Sequence, residues 1–185
     1  MRITNKLEST KKITELSLNK LPEQLFKNGE EEKVLEFIKK YPAKYYAIRD
    51  KAKAGGVFKL KIEKENILNE IKDYTLYSVN VSSANYEENQ LLVGEIFILS
   101  NNEIYAALST NKTYSARAAA ANPEFNLKTT IFDDKTLNKI PYFNTLYNYI
   151  ITNHLQDVIV EFSLFDKKVG IKNEKIVIYE IRTDY

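Results

Sequence analysis

Two glutamates interrupt strongly apolar segments near the end of the chain: Glu161 in VIVEFSLF and Glu180 in IVIYEIR. A carboxylate in such surroundings needs a partner, because burying it alone is costly. The two segments are joined by KKVGIKN and should pair as antiparallel strands, which can bring Glu161 and Glu180 together on one face. Two such carboxylates do not comfortably stay ionised together without a cation between them. Mg²⁺ bridging to phosphate oxygens is one solution, and Arg182 or a lysine is the other. Asp166 and Asp184 fall at strand ends, where solvent is the expected partner.

Cations of one kind are scarce. Of 27 basic residues only Arg2, Arg49, Arg117 and Arg182 are arginine. Where lysine is the default cation, an arginine points to a place that needs its planar, bidentate fork. Arg2 is terminal and incidental. Arg49 (YYAIRD) and Arg182 (IVIYEIRTDY) lie in apolar strands, and Arg117 follows the hydroxyl-rich STNKTYSA. Either each pairs with a buried carboxylate to fix a sheet, or they converge on a phosphate or carboxylate ligand.

The segment KAKAGGVFKLK offers a different chemistry. Gly55 and Gly56 let the backbone approach an anion closely, with Lys51, Lys53 and Lys59 within reach. It is not the GxxxxGK[ST] phosphate loop, and it precedes a strand where that loop precedes a helix. A plain hairpin turn is the competing reading. His154 ends a helix, where a cation suits the macrodipole. The Tyr–Lys interleaving at 41–46 and 142–149 reads as half-buried packing and not as a base-stacking platform.

The elements that would position these residues follow from periodicity. Residues 4–40 read as helical, with Pro22 opening a short middle helix and Pro42 ending the region. Strands are expected at 44–50, 57–62, 75–83, 90–100 and 103–110, with a short helix at 63–72. Asn101-Asn102 suits a two-residue hairpin turn. A turn or two of helix spans 114–121, a loop 122–140, and a helix runs from Pro141 to His154. The final hairpin is 157–166 with 174–185. The fold class is α+β: a helical N-terminal segment, then two antiparallel sheet regions with intervening helices. The expected division is 1–42 and 43–185.

Composition narrows the function classes. The chain has 185 residues, a net charge of +2, no Cys, no Trp and one His. That excludes disulfide scaffolds, zinc fingers, thiol catalysis and a Ser-His triad built on two candidate bases. A near-zero net charge argues against a duplex nucleic-acid binder. A hydrophobic content of 44% suits a globular domain. The charged N-terminus has no signal-peptide pattern and no stretch approaches the ~20 apolar residues of a membrane span, so a cytoplasmic location is expected.

The order of these parts over 44–185 resembles an ATP-grasp nucleotide-binding domain. YYAIRD is similar to that family's first strand, with Arg49 in its cationic phosphate role, as in the phosphoenolpyruvate-synthase-type branch. KAKAGGVFKL resembles the hairpin that covers the phosphates, TLYSVNVSS the hinge strand, and LLVGEIFILSNNEIYAALST the hairpin that follows it. VIVEFSLFD and VIYEIR resemble the closing pair of acidic strands. The resemblance implies ATP and Mg²⁺ as cofactors, with Arg49, Lys53, Gly55, Gly56 and Lys59 at the phosphates and Glu161 and Glu180 at the metal. Arg117 or Arg182 would bind an acceptor carboxylate or the transferring phosphate. The sequence departs from the pattern in three places. Glu180-Ile181-Arg182 replaces the usual Glu-x-Asn, the acidic adenine-side hinge residue has no counterpart, and about 42 mostly helical residues stand where an α/β domain is usual.

Two functions follow. One is an ATP-grasp-like nucleotide-binding protein, a Mg²⁺-dependent carboxylate ligase or kinase acting through an acyl phosphate on a small-molecule carboxylate. The other is a non-catalytic binding or assembly module in which arginine–carboxylate pairs stand in place of the metal. Nucleic acid and membrane are not expected partners.

Overall fold

The structure, a computed structural model, describes residues 3, 5–52, 58–113 and 115–183. Lys53, Gly55 and Gly56 lie outside the described residues, as do Arg2 and Asp184. In chain order the first elements are α1 (Lys6–Glu15), β1 (Glu23–Lys27), α2 (Glu31–Lys40), β2 (Tyr45–Asp50), β3 (Phe58–Glu63), α3 (Ile67–Ile71) and β4 (Leu76–Val81). There follow β5 (Gln90–Ile98), β6 (Glu103–Ser109), α4 (Ala116–Ala121), β7 (Phe125–Thr130), α5 (Asp134–Leu137), α6 (Phe143–Thr152), β8 (Ile159–Val169) and β9 (Glu174–Arg182). The class is α+β with two antiparallel sheets, as the sequence predicts. No helix is long and apolar enough to cross a membrane.

The chain forms two compact units, residues 21–87 and residues 1–20 with 88–185. These are drawn differently from the expected 1–42 and 43–185, because α2 packs into the sheet that follows it while α1 joins the end of the chain. In the unit 21–87 the strand order is β1-β4-β2-β3. Val34, Phe37 and Ile38 of α2 meet Phe26, Tyr46, Ile48, Tyr77 and Val79 of the sheet, with Ile67 and Ile71 of α3 completing the core. Residues 23–27, expected as helix, are strand β1. They pair antiparallel with β4 from Glu23↔Asn80 to Lys27↔Leu76. Five residues make a marginal helix at best, whereas an open sheet edge supplies a backbone partner for each of them.

The other unit has the order β7-β6-β5-β8-β9. One face of this sheet carries Leu92, Ile96, Val160, Phe162, Ile178 and Ile181 against Phe143, Leu146 and Ile150 of α6. The strictly alternating FNLKTT, expected within a loop, is edge strand β7 and pairs with β6 from Leu108↔Phe125 to Glu103↔Thr130. The turn between β5 and β6 falls at Asn101-Asn102 but has three loop residues, Ser100 to Asn102, where two were expected: Leu99 N–H donates to the Glu103 carbonyl at 2.9 Å, and Asn102 takes the left-handed conformation at φ 73°. Gly94 in β5 sits at φ 146°, and a Cβ there would fall 2.1 Å from the Ala107 carbonyl oxygen, so this strand crossing requires glycine.

The N-terminal segment closes the free edge of β9. Ile181 N–H donates to Ser9 Oγ at 2.8 Å, and Thr183 N–H donates to the Ile3 carbonyl at 3.0 Å. The Asn19 side-chain amide donates to the carbonyls of Ile176 at 2.8 Å and Val169 at 3.0 Å. Its Oδ1 accepts from Lys172 N–H at 2.9 Å. Edge groups that would otherwise template aggregation are thereby paired.

Candidate functional site: an acidic row on an open sheet face

Register places the candidate residues. Asn126, Ala107, Glu95, Glu161 and Glu180 are successive cross-strand partners from β7 to β9, so their side chains share one face. The neighbouring row on that face is Lys128, Tyr105, Phe97, Ile159 and Arg182. This is the side opposite α6. Helix α4 lays Ala116 and Ala119 on Val93, and α1 meets the β9 end of the first row through Lys6 and Glu180, so the open part of the face lies toward β5, β6 and β7. An open hollow of about 550 Å³ results, lined by Glu95, Phe97, Tyr105, Ala107, Asn126 and Ile159.

Glu161 and Glu180 are cross-strand neighbours, as the sequence predicts, and both are buried. Each already has a cation. Arg182 donates from Nη1 to Glu161 Oε1 and from Nη2 to Glu95 Oε2, both at 2.7 Å. Lys6 at the start of α1 donates to Glu180 Oε2. Burial, and next the Glu180 carboxylate, push the Glu161 carboxyl above its usual value; Lys6 and Arg182 oppose this without cancelling it. For Arg182 burial disfavours the charge, but Glu95 and Glu161 outweigh it and raise the guanidinium above its usual value. Three carboxylates thus share two cations.

The remaining candidates are elsewhere. Arg117 is exposed on α4 and has no ion pair among the described residues. Arg49 and Lys59 belong to the unit 21–87. Arg49 stacks its guanidinium 3.8 Å from the Phe58 ring centre and lies opposite Ser78 of β4. Lys59 is paired with Glu70 of α3. The structure therefore unites Glu161, Glu180 and Arg182 and leaves Arg117 outside that cluster. Sequence reasoning missed Glu95 and Lys6. Glu95 carries the same signal that marks Glu161, a carboxylate within an apolar strand (LLVGEIFI); Lys6 has no comparable mark.

The oxygen donors are the kind Mg²⁺ takes, but as arranged they do not fit it. Among the described residues no three Asp, Glu, His or Cys side chains group to hold a metal ion. One oxygen of each carboxylate, Glu161 Oε1 and Glu180 Oε2, is already taken by Arg182 and Lys6.

Among known proteins, no family model and no curated protein matches the chain. Solved structures do. The macrocyclase MdnC from Microcystis aeruginosa, solved with its precursor peptide MdnA, is 15% identical with a TM-score of 0.53 over 98% of this chain and 53% of that one. PurK, an N5-carboxyaminoimidazole ribonucleotide synthetase in its ADP complex, is 12% identical with a TM-score of 0.51 over 100% and 45%. The VanG D-Ala:D-Ser ligase from Enterococcus faecalis is 14% identical with a TM-score of 0.50 over 96% and 51%. The chain spans about half the length of these structures. Identities this low establish architecture alone: the fold is ATP-grasp-like.

Proposed function

We propose that the protein is an ATP-grasp-like nucleotide-binding protein in which Arg182 and Lys6 supply the positive charge expected of Mg²⁺. The observation that carries this reading is the Arg182 bridge between Glu161 and Glu95, set beside the hollow on the open sheet face. Glu161 and Glu95 hold the two Nη groups of Arg182 and so fix the orientation of its guanidinium. Arg49, Lys53 and Lys59, with Gly55 and Gly56, keep the phosphate-contacting role, and Arg117 or Arg182 that of binding a carboxylate or the transferring phosphate. The PurK structure holds ADP, which supports a nucleotide as the ligand class.

The second reading is a Mg²⁺-dependent carboxylate ligase or kinase acting through an acyl phosphate. It is favoured by the charge count on the row: Glu95, Glu161 and Glu180 against Lys6 and Arg182 leave one negative charge uncompensated.

Thermal shift with ATP, in EDTA and in excess Mg²⁺, tests both. Nucleotide at 100 times its dissociation constant adds ~2.7 kcal/mol of stability. A shift in EDTA supports the first reading, and a shift that requires Mg²⁺ supports the second. No shift at millimolar nucleotide removes both and leaves a binding or assembly module.

A further inference from the structure

The outer strands of the two sheets are β1 and β3 in one and β7 and β9 in the other, and they are not protected alike. An edge strand offers unpaired backbone groups to another chain unless something blocks it. The β9 edge is taken up by Ile3, Ser9 and Asn19. At β1, Lys27 N–H donates to Glu30 Oε2 at 2.8 Å, and Glu23 is paired with Lys51. At β3, Lys59 and Lys61 stand on the strand and the Leu60 carbonyl accepts from Ser82 Oγ. Strand β7 is different. It pairs with β6 without a bulge and holds no proline. Among the described residues its backbone from Phe125 to Thr129 has no hydrogen-bond partner beyond β6.

This bare edge complements itself. Residues 124–128 read Glu-Phe-Asn-Leu-Lys. Laid antiparallel on a second copy about Asn126, Glu124 meets Lys128, Phe125 meets Leu127, and Asn126 meets Asn126. A two-fold axis repeats the first two pairs. The faces agree as well as the residue types. Alternation turns Phe125 and Leu127 half-buried toward the core and leaves Asn126 and Lys128 exposed on the open face. An axis perpendicular to the sheet keeps those faces in line, so apolar side chains meet apolar ones and each cation meets an anion. Such directly opposed pairs are the favourable kind. Centring the pairing on Lys128 would instead set two ammonium groups together. Glu124 is already held for its part: Thr110 N–H and Oγ1 both donate to its Oε2, and its Oε1 has no partner among the described residues.

We propose that β7 pairs antiparallel with β7 of a second copy of this chain, giving a symmetric dimer in which the two five-stranded sheets run on as one. Asn126 also lines the open hollow, so the hollows of the two copies meet at the axis.

Sedimentation velocity of the full chain from micromolar to millimolar concentration tests this, with circular dichroism as the check on folding. Wild type should dimerise as its concentration rises, since a strand-to-strand contact is a small interface. Lys128→Glu and Glu124→Lys each set like charges across the axis, and each should weaken the dimer about tenfold or more. Mixed in equal amounts, the two variants should dimerise as wild type does, because each supplies the charge the other lacks. A wild type still monomeric at millimolar concentration overturns the proposal. So does a dimer that neither variant weakens, or a mixture that does not recover it. Should Glu124→Lys misfold, Lys128→Glu decides: it must weaken the dimer more than Lys128→Gln does, and equal effects overturn the proposal.

Discussion

Arg182 is the residue on which the candidate site turns, since its fork is shared by Glu161 and Glu95 at 2.7 Å each. Arg182→Gln leaves two carboxylates without their cation, and breaking a buried pair costs about 3 kcal/mol. Urea denaturation should show a loss of that order. Arg182→Lys should recover only part of it, because a single ammonium cannot reproduce two fork hydrogen bonds. Glu161 makes a pH prediction. Burial, then Glu180, raise its carboxyl above the ordinary 4.5. A carboxyl raised in the folded state stabilises fully below its unfolded value and loses that contribution as pH rises through the folded value. The stability of wild type relative to Glu161→Gln should therefore fall as pH rises from the ordinary carboxylate range through the raised folded-state value. A difference that grows with pH contradicts this assignment. At this scale the sequence was informative where a charge broke an apolar pattern, which is how Glu161, Glu180 and Arg182 stand out. It was silent on Lys6, one of many lysines, whose meaning comes from a partner 174 residues away.

At the scale of elements, local pattern and tertiary pairing contribute unequally. Strands β2 to β6, β8 and β9 follow from alternating or apolar runs bounded by turn residues. Strand β1 does not, because EQLFK has no clear period and becomes a strand by pairing with β4. Strand β7 was legible in principle: FNLKTT alternates, and its burial alternates with it. Six residues set between Pro123 and Asp133 are too short a run for that period to stand out from the flanking turns. The N-terminal segment on the edge of β9 is an element-scale device, and Asn19 tests it. Asn19→Ala removes two donations to β8–β9 carbonyls and one acceptance from the Lys172 amide. Each buried backbone group left unpaired costs about 1–3 kcal/mol, so a loss of roughly 3 kcal/mol is expected. Hydrogen exchange should rise at Lys172 and along β9. Unchanged exchange there would show that this edge pairing does not depend on Asn19.

For the whole molecule, the net charge of +2 conceals how the charges are used. One sheet face gathers three glutamates, and the chain spends Arg182 and Lys6 on them. The ATP-grasp-like order of parts was readable over 44–185 because the Gly55-Gly56 pair, the strands and the acidic positions follow one another in that order. The two-unit division was not, because it depends on residues 1–20 returning to strands at the other end of the chain. The departure Glu180-Ile181-Arg182 proved the most informative feature: an arginine where the resembled pattern has a neutral ligand. The central claim, nucleotide binding with internal cations in place of a metal, is tested most directly by calorimetric titration of ATP into metal-free protein. Saturable binding in EDTA that is weakened by Arg182→Gln is the predicted result. No heat in EDTA with binding restored by Mg²⁺, or no binding under either condition, would contradict it.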